Sequence, residues 1–181
     1  MKGTDPISIL TKKIADAALW EKELTLSRGD YLKLEEKTDT NLYWVSSGSL
    51  RIYVIDEEEE LTIRFAYQNN FVAALDSFLS EGPSDLVIQA LKRTELRVIS
   101  KIALMEFLDA SVENSKMWQQ ILEGLILQQL ERERDILISS PQERYRRVFK
   151  RSPQLFQEVP HKYIASYLRM TPETLSRIKK S

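Results

Sequence analysis

The C-terminal part of the chain carries polar and basic side chains at a spacing suited to contacts with a DNA duplex. Residues 171–180 read Thr-Pro-Glu-Thr-Leu-Ser-Arg-Ile-Lys-Lys. Thr171 is a good helix N-cap, and Pro172 fits the first helical position, where its missing N–H costs nothing. Leu175 and Ile178 are three residues apart and share the inward face of that helix. The outward face then presents Glu173, Thr174, Ser176, Arg177 and Lys180.

These outward side chains have the functional groups that recognise bases and phosphates. Arg177 can form a bidentate pair with guanine, and Glu173 can accept a hydrogen bond from the amino group of cytosine. Phosphate contacts position a protein without reading sequence. We assign such contacts to the hydroxyl and ammonium groups of Thr171, Thr174, Lys179 and Lys180. The predicted DNA-contacting set is completed by Lys162, Arg169, Pro172 and Ser176.

A second short helix is predicted immediately before this one. It covers residues 160–168, with Pro160 at its first position, and its inward face holds Ile164, Ala165 and Leu168. A three-residue turn, Arg169-Met170-Thr171, separates the two helices. Two short helices joined so tightly predict a helix-turn-helix, whose second helix enters the major groove. A helical hairpin that only completes a hydrophobic core is the alternative.

Charge is distributed unevenly along the chain. Residues 141–181 hold ten Lys/Arg and three Glu, a net charge of +7, whereas the other 140 residues have a net charge of −8. A basic C-terminal block on an acidic body is typical of a polyanion-binding module, although a solvated charged face is the commoner cause of a charge cluster. Because the block coincides with the predicted helix-turn-helix, we interpret it as a DNA-facing surface.

The elements upstream of this block are mainly short strands. Alternating apolar residues predict strands at 24–26, 31–34, 42–45, 50–55, 61–65, about 85–91 and 95–99, after one helix over residues 7–20. The acidic run 56–60 is interpreted as a hairpin tip, and residues 71–79 as a short helix or coil. Short strands about ten residues apart, without long helices between them, predict a sandwich or jelly-roll barrel.

A long helix is predicted to connect the strands to the basic block. The helical pattern begins near Ile102, resumes after Ser111 and runs to about Ser139, with apolar residues in more than one stripe. Such a helix must bury one stripe on its own domain and another elsewhere. We favour a dimer seam for the second stripe, with intramolecular packing as the alternative. Ser140-Pro141 ends this helix, and short helices follow over residues 141–151 and 153–158.

The sequence therefore predicts an α+β fold in three parts. Residues 1–110 form an N-terminal β jelly-roll barrel that serves as a sensor domain. Residues 111–140 form the long connecting and dimerisation helix, and residues 141–181 form the helix-turn-helix domain.

A resemblance to a known family supports this interpretation. Segment 162–178 reads Lys-Tyr-Ile-Ala-Ser-Tyr-Leu-Arg-Met-Thr-Pro-Glu-Thr-Leu-Ser-Arg-Ile, which resembles the helix-turn-helix of the cyclic-AMP receptor protein (CRP/FNR) family of bacterial regulators. The family also has the order barrel, long helix and DNA-binding domain. By this resemblance, Glu173 and Arg177 match its base-reading Glu and second Arg, whereas Pro172 stands where many members have a first base-reading Arg. Arg169 stands where Gly is usual, which requires a left-handed or strained backbone.

The resemblance also implies a ligand pocket with altered chemistry. The family binds a cyclic nucleotide through a cassette with Gly-Glu near its start and Arg-Ser/Thr-Ala before the next strand. Here Val72-Ala73 replaces Gly-Glu, and Ser84-Asp85-Leu86 replaces Arg-Ser/Thr-Ala. A buried phosphate facing an uncompensated Asp costs several kcal/mol. We therefore expect cyclic nucleotides to bind weakly or not at all, and we assign the pocket to Phe71, Val72, Ala73, Ala74, Ser84, Asp85 and Leu86.

Composition excludes several other classes of function. The chain has no Cys and one His, which excludes thiolate zinc sites, iron–sulfur clusters and His–His metal motifs. Phosphate-cradling glycine motifs are absent, and no pair of carboxylates stands in a catalytic context, so no catalytic residue is predicted. No apolar run is long enough for a membrane helix, and residues 1–10 lack the pattern of a signal peptide.

The sequence thus predicts a cytoplasmic, homodimeric regulator of transcription that binds double-stranded DNA. No metal and no certain cofactor are predicted, and the effector of the barrel is not identified by the sequence. The alternative is a ligand-binding signalling module whose C-terminal helices contact another protein.

Overall fold

The computed structural model describes residues 5–180, so the first four residues of the stretch 1–10 and Ser181 lie outside the described part. The strands are β1 (Lys22–Leu26), β2 (Tyr31–Lys33), β3 (Leu42–Ser47), β4 (Ser49–Asp56), β5 (Glu59–Tyr67), β6 (Phe71–Val72), β7 (Val87–Ala90) and β8 (Thr94–Ile99). The helices are α1 (Pro6–Asp16), α2 (Leu75–Ser80), α3 (Lys101–Asp109), α4 (Val112–Leu137), α5 (Pro141–Arg151), α6 (Pro153–Glu158), α7 (His161–Tyr167) and α8 (Pro172–Lys180).

The strands form two four-stranded sheets that share one hydrophobic core. The strand orders are β1-β8-β3-β6 and β2-β7-β4-β5. The pairs β1–β8, β2–β7, β3–β6, β3–β8 and β4–β7 are antiparallel. Alternate residues of both sheets turn inward: Val45 and Val98 from one sheet meet Leu50 and Ile88 from the other, all fully buried. In β3 the residues between the inward-facing ones are buried as well, because Leu42 packs into a second cluster with helix residues such as Leu10 and Leu104. The α+β, jelly-roll-like fold followed by a long helix and C-terminal helices is confirmed.

The predicted strands are all found, and two local interpretations need correction. The helix predicted over residues 7–20 ends at Asp16, because Ala18 adopts a left-handed φ of +54° that a helix cannot continue. Residues 71–79 contain a two-residue strand, β6, before α2 begins at Leu75. A strand this short has too few residues to show a period, so its pairing with Tyr43 and Trp44 of β3 decides its conformation.

Helices α3 and α5 begin at serine caps. Ser100 caps α3 through a hydrogen bond from the backbone N–H of Ala103, and Ser140 caps α5 through one from Glu143. Pro141 follows at the first position of α5, as predicted. In α7, by contrast, Pro160 lies at the N-cap and not at the first helical position, which is His161.

The chain divides into two compact units. The first holds the chain up to Val54 together with Arg64–Glu123, and the second holds Ile55–Ile63 together with the chain from Gly124 onward. The tip of the β4–β5 hairpin, residues 55–63, is therefore grouped with the C-terminal helices. The division at residues 110 and 140 stays a prediction. No helix among residues 5–180 is long and apolar enough to cross a membrane.

Candidate nucleic-acid interface

Helix α8 starts at the cap that the sequence predicts. The Thr171 hydroxyl oxygen accepts a hydrogen bond from the backbone N–H of Thr174 at 3.2 Å, and Pro172 follows as the first helical residue. The pKa of Glu173 lies below its ordinary value, because hydrogen bonds from its own backbone N–H and from the Thr171 hydroxyl favour the carboxylate. Glu173 is therefore ionised at neutral pH and lies at the positive end of the helix dipole.

Burial separates the two faces of α8. Leu175 is fully buried, Ile164, Ala165 and Leu168 are at most 1% exposed, and α7 packs against α8. Ile178 is half-buried. On the other side Glu173, Arg177, Lys179 and Lys180 are exposed, while Thr174 and Ser176 are half-buried.

The outward face of α8 borders a shallow surface depression that also includes a residue of α7. The depression is lined by His161, Pro172, Glu173, Ser176, Arg177 and Lys180. Five of these six belong to the predicted DNA-contacting set, and His161 is an addition. Sequence reasoning considered His161, the one His of the sequence, only as a possible metal ligand. Its position just after Pro160, at the start of the first helix of the motif, was the available signal.

Other members of the predicted set are exposed as well. Lys162 and Arg169 are exposed, as are Thr171 and Pro172. The Lys162 ammonium lies 4.7 Å from the centre of the Tyr163 ring, a cation–π distance. The DNA-contacting roles of all these side chains stay predictions.

The turn between α7 and α8 has a defined left-handed geometry. Arg169 has a φ of +53°. This is the left-handed conformation predicted from the sequence for a bulky residue at a position where Gly is usual. The N–H of Met170 donates to the carbonyl of Ala165 at 3.1 Å, and that of Arg169 donates to Ser166 at 3.0 Å. This pair of bonds is a Schellman motif, which satisfies the last carbonyls of a helix. The turn is therefore a fixed connection.

A buried arginine outside the motif holds this turn. Arg144 of α5 is 8% exposed. Its Nε donates to the carbonyl oxygen of Leu168 at 2.9 Å, and its Nη2 donates to that of Arg169 at 3.0 Å. Its Nη1 contacts the carbonyls of Ile138 and Ser139, just after the end of α4. Sequence reasoning counted Arg144 only as part of the basic block, although its spacing of four from the apolar Val148 was a signal that it faces inward.

Two more basic residues of α5 are engaged within the same unit. Arg147 Nε lies 3.0 Å from Asp135 Oδ1, and Arg151 also pairs with Asp135, which is 1% exposed. Arg147 Nη2 lies 3.2 Å from Glu131. Residues 144, 147 and 151 are three and four positions apart, so they share one face of the helix. Three of the ten basic side chains thus serve internal contacts, and the surface charge of the block is lower than the sequence count implies.

The β4–β5 hairpin tip contacts the first helix of the motif, a contact that the sequence did not reveal. The Ser166 hydroxyl donates to the carbonyl of Glu60 at 2.8 Å and accepts from the N–H of Thr62 at 3.0 Å. Arg132 of α4 lies over the Tyr167 ring at 4.0 Å from its centre. Burial lowers the pKa of Arg132 from its ordinary value, and the nearby Arg169 acts in the same direction.

The residues that were assigned to a ligand pocket pack in two clusters and at the surface. Val72, Ala74 and Leu86 belong to the core between the two sheets. Phe71 and Ala73 pack instead against the cluster that contains the helix residues Leu10 and Leu104. Ser84 is buried and pairs with Lys37 in an isolated bridge, whereas Asp85 is exposed. That these seven residues line one ligand pocket stays a prediction.

A buried lysine lies among the carbonyls of this segment. Lys33 is 4% exposed, and its Nζ donates to the carbonyl oxygens of Leu34, Ser84 and Leu86 at 2.8, 2.8 and 2.6 Å. All three ammonium protons thus have acceptors within the chain. Burial lowers the pKa of Lys33 from its ordinary value, against the opposing charges of Asp76, Asp39 and further carboxylates. No group of residues among 5–180 has the donors of a metal site.

Comparisons with known proteins agree with the fold. Residues 23–111 match the model of the cyclic nucleotide-binding domain family. No curated protein matches the chain in sequence.

Several solved structures share the architecture over most of the chain. FixK2 from Bradyrhizobium japonicum is 19% identical with a TM-score of 0.73, covering 88% of this chain and 82% of its own. Thermus thermophilus Catabolite Activator Protein is 20% identical with a TM-score of 0.60, covering 98% and 85%. The c-di-GMP responsive global regulator CLP from Xanthomonas campestris is 15% identical with a TM-score of 0.67, covering 94% and 90%. At these identities the likeness shows the fold alone.

Proposed function

We propose that the chain is a regulator of transcription that binds double-stranded DNA as a homodimer. Residues 23–111 match the model of the cyclic nucleotide-binding domain family, and the chain has the fold of CRP/FNR transcription regulators. The observation that carries this proposal is the geometry of α8. Its apolar side is anchored on buried residues of α7, and its opposite side exposes Arg177, Lys179 and Lys180 in one short helix. An exposed basic helix on a rigid support is what major-groove recognition requires.

The proposed contacts divide into base reading and phosphate binding. Arg177 reads guanine through its two-pronged guanidinium, and Glu173 accepts from cytosine. The exposed ammonium groups of Lys162, Lys179 and Lys180 bind phosphates, together with the Thr171 and Thr174 hydroxyls. His161 lines the same depression and adds a further contact at the first helix. Because Pro172 has no basic side chain, base recognition in this proposal rests on two residues.

Exposed apolar side chains on α4 support the homodimer. Leu127 is 63% exposed and Leu137 is 76% exposed, and Ile126 and Leu130 also face solvent in the single chain. A 26-residue helix with this many uncovered apolar residues gains free energy when a second copy covers them. Helix-turn-helix proteins bind paired half-sites as dimers, so a seam along α4 also fits the proposed function.

The proposed sensor does not use cyclic AMP or cyclic GMP. Val72 and Ala73 have no side-chain polar group for a ribose, and Asp85 brings a negative charge to the segment where a phosphate would lie. The Lys33 ammonium cannot replace the missing arginine, since its protons are engaged by three backbone carbonyls. The proposal therefore assigns the barrel a different effector, assigns no catalytic activity to the chain, and includes a cytoplasmic location, where bacterial DNA lies.

The test is the binding of purified protein to fluorescent duplex DNA at increasing salt. Release of counterions from several phosphates predicts that the logarithm of the binding constant falls linearly, and steeply, with the logarithm of the salt concentration. Binding that is absent at low salt would contradict the proposal. It would favour the signalling module whose C-terminal helices contact a protein.

A further inference from the structure

We propose that Arg144 is a positioning residue that sets the direction of α8 relative to the end of α4, and thereby the spacing of DNA half-sites that the dimer accepts. This inference rests on the proposed function. It concerns a side chain that contacts no DNA in the proposal, because Arg144 is buried on the inner face of α5.

One guanidinium joins two segments that are distant in sequence. Nε and Nη2 bind the carbonyls of Leu168 and Arg169 in the turn before α8, at 2.9 and 3.0 Å. Nη1 binds the carbonyls of Ile138 and Ser139 in the link after α4. Each carbonyl lies near a helix end, where intrahelical partners run out. Arg144 therefore donates hydrogen bonds to carbonyls of both segments and fixes the distance between them.

The chemistry of the side chain suits this role. A guanidinium is planar and presents its donors in a fixed fork, so it can hold several carbonyls in one geometry. A lysine ammonium in the same place is a point charge on a flexible stem and does not impose the same directions. The left-handed φ of +53° at Arg169 aims the carbonyl of that residue, so the turn and the guanidinium fix each other.

A second set of contacts makes α5 a rigid connector between α4 and α8. Arg147 and Arg151 bind the buried Asp135 of α4 on the same face of α5 that carries Arg144. Helix α5 also packs against α8. Contacts within one compact unit thus fix the direction of α8 relative to the end of α4.

In a dimer paired along α4, this direction decides where the two copies of α8 meet the duplex. Half-sites of a helix-turn-helix dimer lie about one helical turn apart, so the accepted spacing is a geometric property of the protein. If a flexible lysine ammonium replaces the Arg144 guanidinium, α8 should still bind its half-site, but the dimer should also bind pairs of half-sites at other spacings.

The experiment compares Arg144→Lys with the wild type on duplexes whose two half-sites are separated by spacers of varied length. The half-sites are taken from DNA that the wild-type protein selects. The wild type should prefer its best spacer over neighbouring lengths by about tenfold, the scale of one mismatched base pair. Arg144→Lys should lose most of this preference and keep its affinity for a single half-site.

Arg146→Lys is the matched control, because Arg146 is an exposed arginine of the same helix. It should keep the wild-type spacer preference. A folded Arg144→Lys protein with the wild-type spacer profile would overturn the inference while leaving the proposed function in place. A wild-type protein that selects no duplex would overturn both, so the two failures are distinguishable.

A measurement on the wild-type protein covers the case in which the variant does not fold. In the DNA complex, the Nε–Hε group of Arg144 should give a resolved NMR signal that is protected from exchange with water, unlike that of Arg146. An Arg144 signal that exchanges as fast as that of Arg146 would overturn the inference.

Discussion

The guanidinium of Arg144 donates a hydrogen bond to the backbone carbonyl of Arg169 at 3.0 Å, and Arg169 itself adopts a φ of +53°. A buried side chain thus holds the carbonyl of a residue whose backbone is in a region that favours glycine. The consequence is a turn that keeps a strained residue in place between the two helices of the candidate DNA-binding motif.

The strain at Arg169 predicts that Arg169→Gly stabilises the fold. Glycine adopts a positive φ without a steric penalty, so the free energy of unfolding should rise by about 0.5–1 kcal/mol after its larger backbone entropy is subtracted. Urea unfolding followed by circular dichroism measures this change. Arg169→Ala is the control, since it removes the same charge but keeps the Cβ. If Arg169→Ala raised the free energy of unfolding as much as Arg169→Gly, the gain would come from removing the repulsion between Arg169 and Arg132, and not from relieving backbone strain.

The buried Lys33 predicts a dependence of stability on pH. Its pKa is lowered in the folded protein, so between that pKa and the unfolded value near 10.5 the unfolded chain holds more protons. The free energy of unfolding of the wild type should therefore rise with pH in this window, relative to that of Lys33→Met. Below the folded pKa both states are protonated, and the difference between the two proteins should be constant. A difference that stays flat up to pH 10.5, or that falls, would contradict the burial of a charged Lys33.

The role of Arg177 predicts a loss of sequence preference. Arg177→Ala should weaken binding to the selected site by about 1–3 kcal/mol and leave binding to unrelated duplexes little changed. Lys179→Ala is the comparison, because a lost phosphate contact should weaken binding to all sequences and reduce the salt slope by about 1. Fluorescence anisotropy at several salt concentrations separates the two. Equal losses on specific and unrelated DNA for Arg177→Ala would remove it from the base-reading set.

We predict that the barrel does not bind cyclic AMP or cyclic GMP with micromolar affinity. The segment that would meet the nucleotide places Val72 and Ala74 in the core between the sheets and Asp85 at the surface, and the Lys33 ammonium is engaged by backbone carbonyls. Isothermal titration with either nucleotide should show no binding in the micromolar range. A micromolar dissociation constant for either one would contradict the assignment of a different effector.

Much of the fold follows from local signals in the sequence. Ser140-Pro141 marks the start of α5, and Thr171-Pro172 marks that of α8, because a hydroxyl cap followed by proline is a strong start signal. Alternating apolar residues locate the long strands, because every second residue of a strand faces the core between the sheets. The left-handed turn at Arg169 was predicted as well, and is confirmed.

What sequence reasoning missed depends on partners that are distant along the chain. The two-residue strand β6 forms because β3 is there to pair with it. Lys33 is buried because the carbonyls of Ser84 and Leu86 accept its protons. In the sequence Arg144 is indistinguishable from an exposed basic residue, because the turn carbonyls that it binds are more than twenty positions away. A charge count cannot distinguish an exposed cation from one that is satisfied inside the domain.

The central claim, that the exposed face of α8 reads DNA, is tested most directly by selection of genomic fragments with the purified protein, in parallel with Arg177→Ala. The wild-type protein should enrich fragments that share a two-fold related pair of half-sites, and Arg177→Ala should lose that shared sequence while it still retains DNA at low salt. Wild-type protein that enriches no common sequence, or an Arg177→Ala protein that enriches the same one, would contradict the account.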